Sequence, residues 1–581
     1  MMRLHSFLVA ALAASPTVAL WPIPVDISTG NKTLYIDKTI NITYNGAALA
    51  YTGCYNPPAG SKFTSESIVQ GGLTRCLNAI FDHGLVPWML HQPGADFQPR
   101  CGPSEKNRVH TLAIAQTGKD DAAGAFKPLA EQRDESYSLN VTADGGASIT
   151  AKTAIGVLRG LETFSQLFFQ HAAGGAWYTM QAPVRVADAP KYAHRGLLLD
   201  VSRHWFDVQD IKRTIDGLAM TKMNVLHLHV TDTQSWPLEI PALPLLAERH
   251  AYAKDRTYSP AALADLQEYG VHRGVQIILE IDMPGHFGIE RAYPDLSVAY
   301  NKRPYTQYCA QPPCGSLRLG NKKVEEFLDK LFEDLLPRVS PYTAYFHTGG
   351  DEYKVNNSLL DPDLKTNEVS VLQPLLQRFL DHAHDNVRKR GLVPMVWEEM
   401  VSEWNATIGK DVVVQSWLGA KSVKKLAEAG HKVIVSTADA YYLDCGRGQF
   451  IDYETGPAFQ SAYPFTDWCV PTKNWRLIYA QDIRAGLADE AAANVIGGEV
   501  ALWTETVDAT SLDTLVWPRA AAAGESWWSG RSGADGKNRS MYEVRPRMSE
   551  MRERMLARGV RGAPITQLWC DQADTIDCSG E

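Results

Sequence analysis

The chain lacks any excess of positive charge. Lys and Arg number 57 against 66 Asp and Glu in 581 residues, a formal charge of −9 with a pI near 6.0. That balance offers nothing to a polyanion, so nucleic acid and anionic membrane are not expected partners, while a neutral substrate is easily admitted. Long apolar runs are also missing. Beyond the first twenty residues no stretch approaches the twenty uninterrupted apolar positions of a membrane span. No CxxC pair occurs among the nine cysteines, which disfavours zinc. What is present is the composition of a folded soluble protein, 45% apolar and 21% charged. At this length two domains are expected rather than one core.

The first nineteen residues read as a secretory signal: Arg3, the apolar run LHSFLVAALAA, then small residues to Ala19. An exported, extracellular protein is expected. Oxidising surroundings change the reading of the cysteines. Cys309 and Cys314 flank AQPP, Cys570 and Cys578 bracket a short loop, and Cys445 and Cys469 can close the segment between them. Cys54, Cys76 and Cys101 cannot all pair with one another. Sequons at Asn31, Asn41, Asn140, Asn356, Asn405 and Asn538 fit the same compartment, each a glycan site only where exposed.

Residues 20–107 are rich in Gly and Pro and read as an irregular N-terminal extension. In 108–190, YSLNVTADGGASITA alternates around a Gly-Gly turn, predicting a hairpin. TAIGVLRGLETFSQLFFQ follows with helical spacing of its apolar residues, so this region is predicted to be a small α+β domain. From 191 to about 560 the chain beats regularly. Eight short apolar runs, GLLLDVSR, NVLHLHVTD, VQIILEIDMPGH, YTAYFHTGGDE, LVPMVWEEM, DVVVQSW, KVIVSTADAYYLD and NVIGGEVALWTE, mostly alternate with helical stretches. That pattern predicts a parallel (β/α)8 TIM barrel, leaving 561–581 as a C-terminal tail.

The ends of those runs carry Asp200, Arg203, Asp232, His286, Asp351, Glu352, Trp397, Trp417, Tyr442, Asp444, Trp503 and Glu505. Barrel chemistry sits at the C-terminal ends of strands, so eight runs delivering such residues to one face mark a site. Asp351 and Glu352 follow two glycines, and adjacent carboxylates push their pKa values apart, leaving one protonated as an acid. Trp397, Trp417, Trp503 and Tyr442 suit the walls of a pyranose pocket, with Arg195, Asp444 and Glu505 as partners for hydroxyls. His227 and His229, with His286, His347 and Asp351, raise a rival reading as a metal-dependent barrel hydrolase. Both histidines of HLH, however, lie inside the strand rather than at its end, which favours packing or a supporting hydrogen bond. Acids, aromatics and no metal set point to glycosidic cleavage through an oxocarbenium-like transition state.

HRGLLLDVSRHW, NVLHLHVTD, EIDMPGH, HTGGDEY, YYLD and GGEVALWTE together resemble the motifs of family 20 glycoside hydrolases, the β-N-acetylhexosaminidases. With YCAQPPCG, the chain is most similar to secreted fungal members. The resemblance spans the barrel and extends to the small domain before it. It implies a cofactor-free retaining enzyme acting on terminal GlcNAc, and on GalNAc where tolerated, in chitooligosaccharides or glycans, through the substrate's own acetamido group. Glu352 then matches the general acid/base, and Asp351 the acid that orients the acetamido group and stabilises an oxazolinium. Tyr442 matches the donor to the acetamido oxygen, and Trp397, Trp417 and Trp503 the walls of its pocket. Arg195, Asp444 and Glu505 match the residues gripping sugar hydroxyls; Asp232 and His286 match the shell supporting the acid. Fungal members also imply a pro-segment in 20–107, although no dibasic pair precedes the hairpin domain. A homodimer stays open, and an inactive sugar-binding protein is the non-enzyme alternative.

Overall fold

The computed structural model describes residues 19–56, 63–120, 126–448, 450–452, 454–456, 467–533, 535–573 and 578–580. The signal segment therefore lies outside the described residues, Ala19 excepted.

All eight expected strands form, and they close on themselves. Numbered within the barrel they are β1 His194–Asp200, β2 Val225–Thr231, β3 Gln276–Ile281, β4 Tyr345–His347, β5 Val393–Trp397, β6 Val413–Ser416, β7 Lys432–Val435 and β8 Val495–Leu502. Each pairs in parallel with the next, and β8 returns to β1 with Gly498 opposite Arg195. Strands β1, β2 and β3 are buried along their whole length, as parallel strands covered on both faces must be. The helices between them start on side-chain caps. Asp207, Ser259 and Asn321 each accept a backbone N–H in the first turn of the helices Val208–Met220, Pro260–Val271 and Lys322–Val339.

The barrel interior is layered. Val225, Ile278, Tyr345, Met395, Val413 and Ile434 fill the end nearest the strand starts. Above them lies a polar layer of His227, Glu280, His347, Gln415 and Glu499, all fully buried. Aromatic residues cap the other end, where Trp397 and Tyr442 pack with Leu198 and Ala501. The interior is a packed core, not a pore.

The N-terminal region departs from the expected division at 107/108. Asp26–Ile36 and Asn41–Tyr44 are strands of the same sheet as the hairpin, whose order runs Asp26–Ile36, Trp177–Asp188, Tyr137–Val141, Gly146–Ala151, Thr111–Gln116, Asn41–Tyr44, Ala47–Ala48. Helix Ser65–Phe81 packs with the predicted helix Ala154–Gln166 over one core. The supposed extension is thus half of the domain. Its strands find their main partners far along the chain, Asp26–Ile36 on Trp177–Asp188 and Asn41–Tyr44 on Thr111–Gln116.

Cys309–Cys314, Cys445–Cys469 and Cys570–Cys578 are bonded as expected; Cys54, Cys76 and Cys101 are free, Cys76 buried and the other two exposed. Asn31, Asn41, Asn405 and Asn538 are exposed, as a glycan acceptor must be, whereas Asn140 and Asn356 are half-buried.

Candidate active site

Glycines at the end of β4 determine where the paired acids stand. Gly349 and Gly350 have φ of +67° and +110°, and a Cβ on Gly349 would lie 1.8 Å from Asp282 Oδ1. Only glycine lets the chain turn here while Gly350 N–H donates to Asp282 Oδ1 at 2.7 Å. The turn ends with Glu352 itself in the left-handed region, φ 52°. Its consequence is that two neighbouring carboxyls enter different environments.

Glu352 faces a relay of buried groups. Its Oε2 lies 3.3 Å from His286 Nε2, and His286 Nδ1 lies 3.3 Å from Asp232. Asp232 in turn meets Arg203 Nη2 at 2.8 Å and His229 Nε2 at 3.0 Å. Burial alone would raise Asp232, but Arg203, His286 and His229 hold it well below the usual carboxylate range. Burial would also strip His286 of its proton; Asp232 and the paired acids reverse this and raise it well above an ordinary histidine. Glu352 is lowered, because the His286 contact outweighs its own burial. Both shifts put the single proton of the His286–Glu352 pair on the imidazole.

Asp351 is raised instead. Burial leads, and Glu352 adds to it, against the opposing pull of His286 and of a hydrogen bond from Asp282. The Asp282 carboxyl, buried against the Asp351 charge, is raised further still. Two carboxyls in contact need a proton between them, so Asp282 is the neutral donor and Asp351 carries the charge.

Around Asp351 stands the aromatic wall. Tyr442 lies 6.3 Å from Trp417 in a stacked arrangement and 6.2 Å from Trp503, and Trp397 is 6.2 Å from Trp503. Hydrogen bonds lock the indoles in place: Trp397 Nε1–H donates to Glu280 and Trp417 Nε1–H to Glu399, at 2.7 and 2.8 Å. Opposite, Asp444 and Glu505 form an acidic edge. Burial and the neighbouring Glu505 push Asp444 up to about 8.

Among the described residues three groups bring candidate metal-ligand atoms within 4.8 Å of one another. In Asp444, Cys445 and Cys469 the two sulfurs are already bonded to each other, which leaves His227, Glu280 and His347, and Asp282, His286 and Asp351. Neither suits an ion. Glu280 already takes N–H groups from His229 and Trp397, and Asp282 and Asp351 face each other carboxyl to carboxyl. The donor set is that of a hydrogen-bonded relay, which is also the role of His227 and His229, bonded to Glu499 and Glu280.

A model of the family 20 glycosyl hydrolase catalytic domain matches residues 192–531, and one described as beta-acetyl hexosaminidase like matches 20–167. The chain belongs to glycosyl hydrolase family 20. A beta-hexosaminidase of Arthroderma benhamiae is 37% identical over 95% of this chain and 96% of its own length. A chitooligosaccharidolytic beta-N-acetylglucosaminidase of Ostrinia furnacalis is 32% identical, covering 77% and 75%. Among solved structures, a chitobiase of Flavobacterium johnsoniae superposes with a TM-score of 0.70 at 26% identity, over 94% of this chain and 73% of that one. The family 20 enzyme has the glycoside hydrolase activity of a β-N-acetylhexosaminidase.

Ten of the eleven residues expected in the site of this family 20 enzyme cluster at the C-terminal mouth of the barrel. Arg195 does not. It is the second residue of β1, so it lies at the opposite end, fully buried, where its Nη2 meets Glu135 of the N-terminal domain at 2.6 Å. The guanidinium at the mouth belongs to Arg203, three residues past the end of β1. Arg203 lies 5.1 Å over the Trp503 ring, and its pKa is raised by Asp232, Asp200 and Glu505 against its burial. Counting positions along HRGLLLDVSR separates the two arginines, since a strand ending at Asp200 puts only the second at the mouth.

Arg203 was already among the residues at the run ends; Gln234 and Gln311 were not foreseen. Gln311 Nε2–H donates to Glu505 at 3.1 Å, and Gln234 accepts from Arg203 Nε at 3.1 Å. Gln311 sits inside the Cys309–Cys314 loop, so that bond tethers a side chain in contact with the acidic edge. Trp468, 64% exposed, stands edge-on to Trp417 at 5.7 Å.

Proposed function

We propose that the enzyme is a secreted, retaining exo-β-N-acetylhexosaminidase that removes terminal non-reducing GlcNAc from chitooligosaccharides and glycans. The observation that carries this reading is the division of labour between the neighbouring acids. Glu352 shares a proton with His286, while Asp351 faces Tyr442 and the tryptophan wall with no proton of its own. An acid that delivers a proton and an acid that stays charged are what substrate-assisted cleavage requires.

A terminal sugar would sit with its hydroxyls toward Arg203, Asp444 and Glu505. Its acetamido group would enter the wall, N–H to Asp351 and oxygen to the Tyr442 hydroxyl. The sugar displaces water from the His286–Glu352 pair, which favours the neutral arrangement with the proton on Glu352. Glu352 passes that proton to the glycosidic oxygen as the acetamido oxygen attacks the anomeric carbon, and Asp351 stabilises the resulting oxazolinium. Water then opens the ring with Glu352 as base, so the β-configuration is retained. The chitooligosaccharidolytic activity named for the Ostrinia relative favours chitin fragments as the substrate class.

Incubation with a chromogenic β-GlcNAc glycoside tests the activity. A series with mono-, di- and trifluoroacetyl groups tests the nucleophile: each fluorine withdraws electrons from the acetamido oxygen, so rates are expected to fall progressively. A flat series would sink the substrate-assisted route.

The pH profile follows from the same groups. Asp351 must be ionised, and its pKa is raised, so kcat/KM is expected to fall on acidification at a pH above that of an ordinary aspartate. The alkaline limb marks loss of the proton shared by His286 and Glu352. A measured acid limb below pH ~3.9, the ordinary aspartate value, would contradict this assignment.

A further inference from the structure

Glu399 has no part in the chemistry above, yet its buried carboxyl feels the charge of Asp351. WEEM places it two residues after Trp397, at the start of the short helix Glu399–Ser402 behind β5. Its side chain is buried, and Oε1 accepts the indole Nε1–H of Trp417 at 2.8 Å. Its Oε2 is enclosed and accepts from no N–H or O–H, and the same is true of Asp351 Oδ1. The titratable groups that act on it are Asp351 from the loop after β4, the adjacent Glu398, and Tyr442, whose phenol feels both Glu399 and Asp351. None of these is a cation. Glu398 is taken up elsewhere, accepting the backbone N–H groups of Trp417 and Leu418 at 2.6 and 2.7 Å.

A carboxylate buried in the field of a second carboxylate, with one oxygen left without a donor, is costly even with the Trp417 indole and its own backbone N–H to support it; the same group as a carboxylic acid has an O–H to offer. We propose that Glu399 is a positioning residue, held as a neutral acid that fixes Trp417 through one oxygen and turns its O–H toward Asp351. Asp351 is then one charge between two neutral carboxyls, Asp282 on one side and Glu399 on the other. Burial and the Asp351 charge, which raise Glu399 well above the usual carboxylate range, act in the same direction. The arrangement would keep Asp351 ionised in a pocket that burial makes hostile to charge, and keep its lone pairs aimed at the acetamido N–H. This rests on Asp351 being the acid that orients the acetamido group.

The test compares Glu399→Leu with Glu399→Gln in the full-length enzyme, reading both kcat/KM against pH and the pH dependence of binding to a GlcNAc-thiazoline mimic of the oxazolinium. Losing a donor to a charged group raises that group's pKa. In Glu399→Leu the acid limb of both measurements is therefore expected to move up by about one pH unit. Glutamine keeps an acceptor for Trp417 and an N–H for Asp351, so Glu399→Gln is expected to return the limb to its wild-type place. A role limited to packing or to holding Trp417 would weaken binding without moving the limb. The proposal is overturned if the limb of Glu399→Leu coincides with wild type. It is equally overturned if Glu399→Gln moves the limb to lower pH, since that shift would mean a negative charge had been removed. Wild-type protein that neither cleaves a β-GlcNAc glycoside nor binds the thiazoline would instead defeat the functional reading itself.

Discussion

Glu352→Gln is expected to slow turnover of chitobiose by about 10²–10⁴-fold, the usual contribution of general acid–base catalysis. Glutamine preserves the shape of the side chain and can still meet His286, so the loss isolates the proton. It should shrink for aryl glycosides with very acidic leaving groups, whose departure needs little protonation. Added small nucleophilic anions such as azide should then restore part of the second step, because an anion needs no base. Near-normal turnover of chitobiose by this variant would remove Glu352 from the mechanism.

Asp351→Asn is expected to be nearly as damaging by a different route. The substitution is isosteric and leaves the glycine turn intact, but it discharges the carboxylate that acts on Tyr442 in the aromatic wall. By analogy with removing one preorganised electrostatic partner, the cost is about 3 kcal/mol in the transition state, or roughly 10²-fold in rate. Because the charge acts on a cationic ring, affinity for the thiazoline mimic should fall in parallel, whereas affinity for neutral GlcNAc should change less. Equal thiazoline affinity in wild type and variant would show that Asp351 serves some other purpose. The effect on activity should also be hard to rescue by pH, since asparagine does not titrate.

The barrel was legible because its signal is periodic. Eight apolar runs each appear as a strand, and the polar and aromatic residues at their ends meet at one mouth. Asp351, Glu352, Tyr442 and the three tryptophans were found this way, since strand direction alone places them. Arg195 was misplaced because the motif containing it crosses the barrel from base to mouth and was read as one unit; counting along the strand to Asp200 puts only Arg203 at the top. Glu399 and Asp282 left no sequence signal of their own; a buried carboxyl matters through what surrounds it, and those neighbours come from other strands. The N-terminal sheet was half-missed for a related reason. Asp26–Ile36 pairs with Trp177–Asp188, and no local pattern announces a partner that distant.

The base of the barrel ties these two bodies into one. Glu135, from the N-terminal domain, receives Arg195 and Asn224 on one oxygen and Arg159 on the other, all buried. Nearby Lys222 of the barrel meets Asp188 of the sheet at 3.0 Å, both side chains fully buried. Pulling the domains apart would strand each of these charges in an apolar surface, at about 3–5 kcal/mol for each pair so broken. Partial opening is therefore worse than none. The sheet should melt together with the barrel as a single cooperative unit, and amide protons in both should exchange with solvent through the same rare, global event.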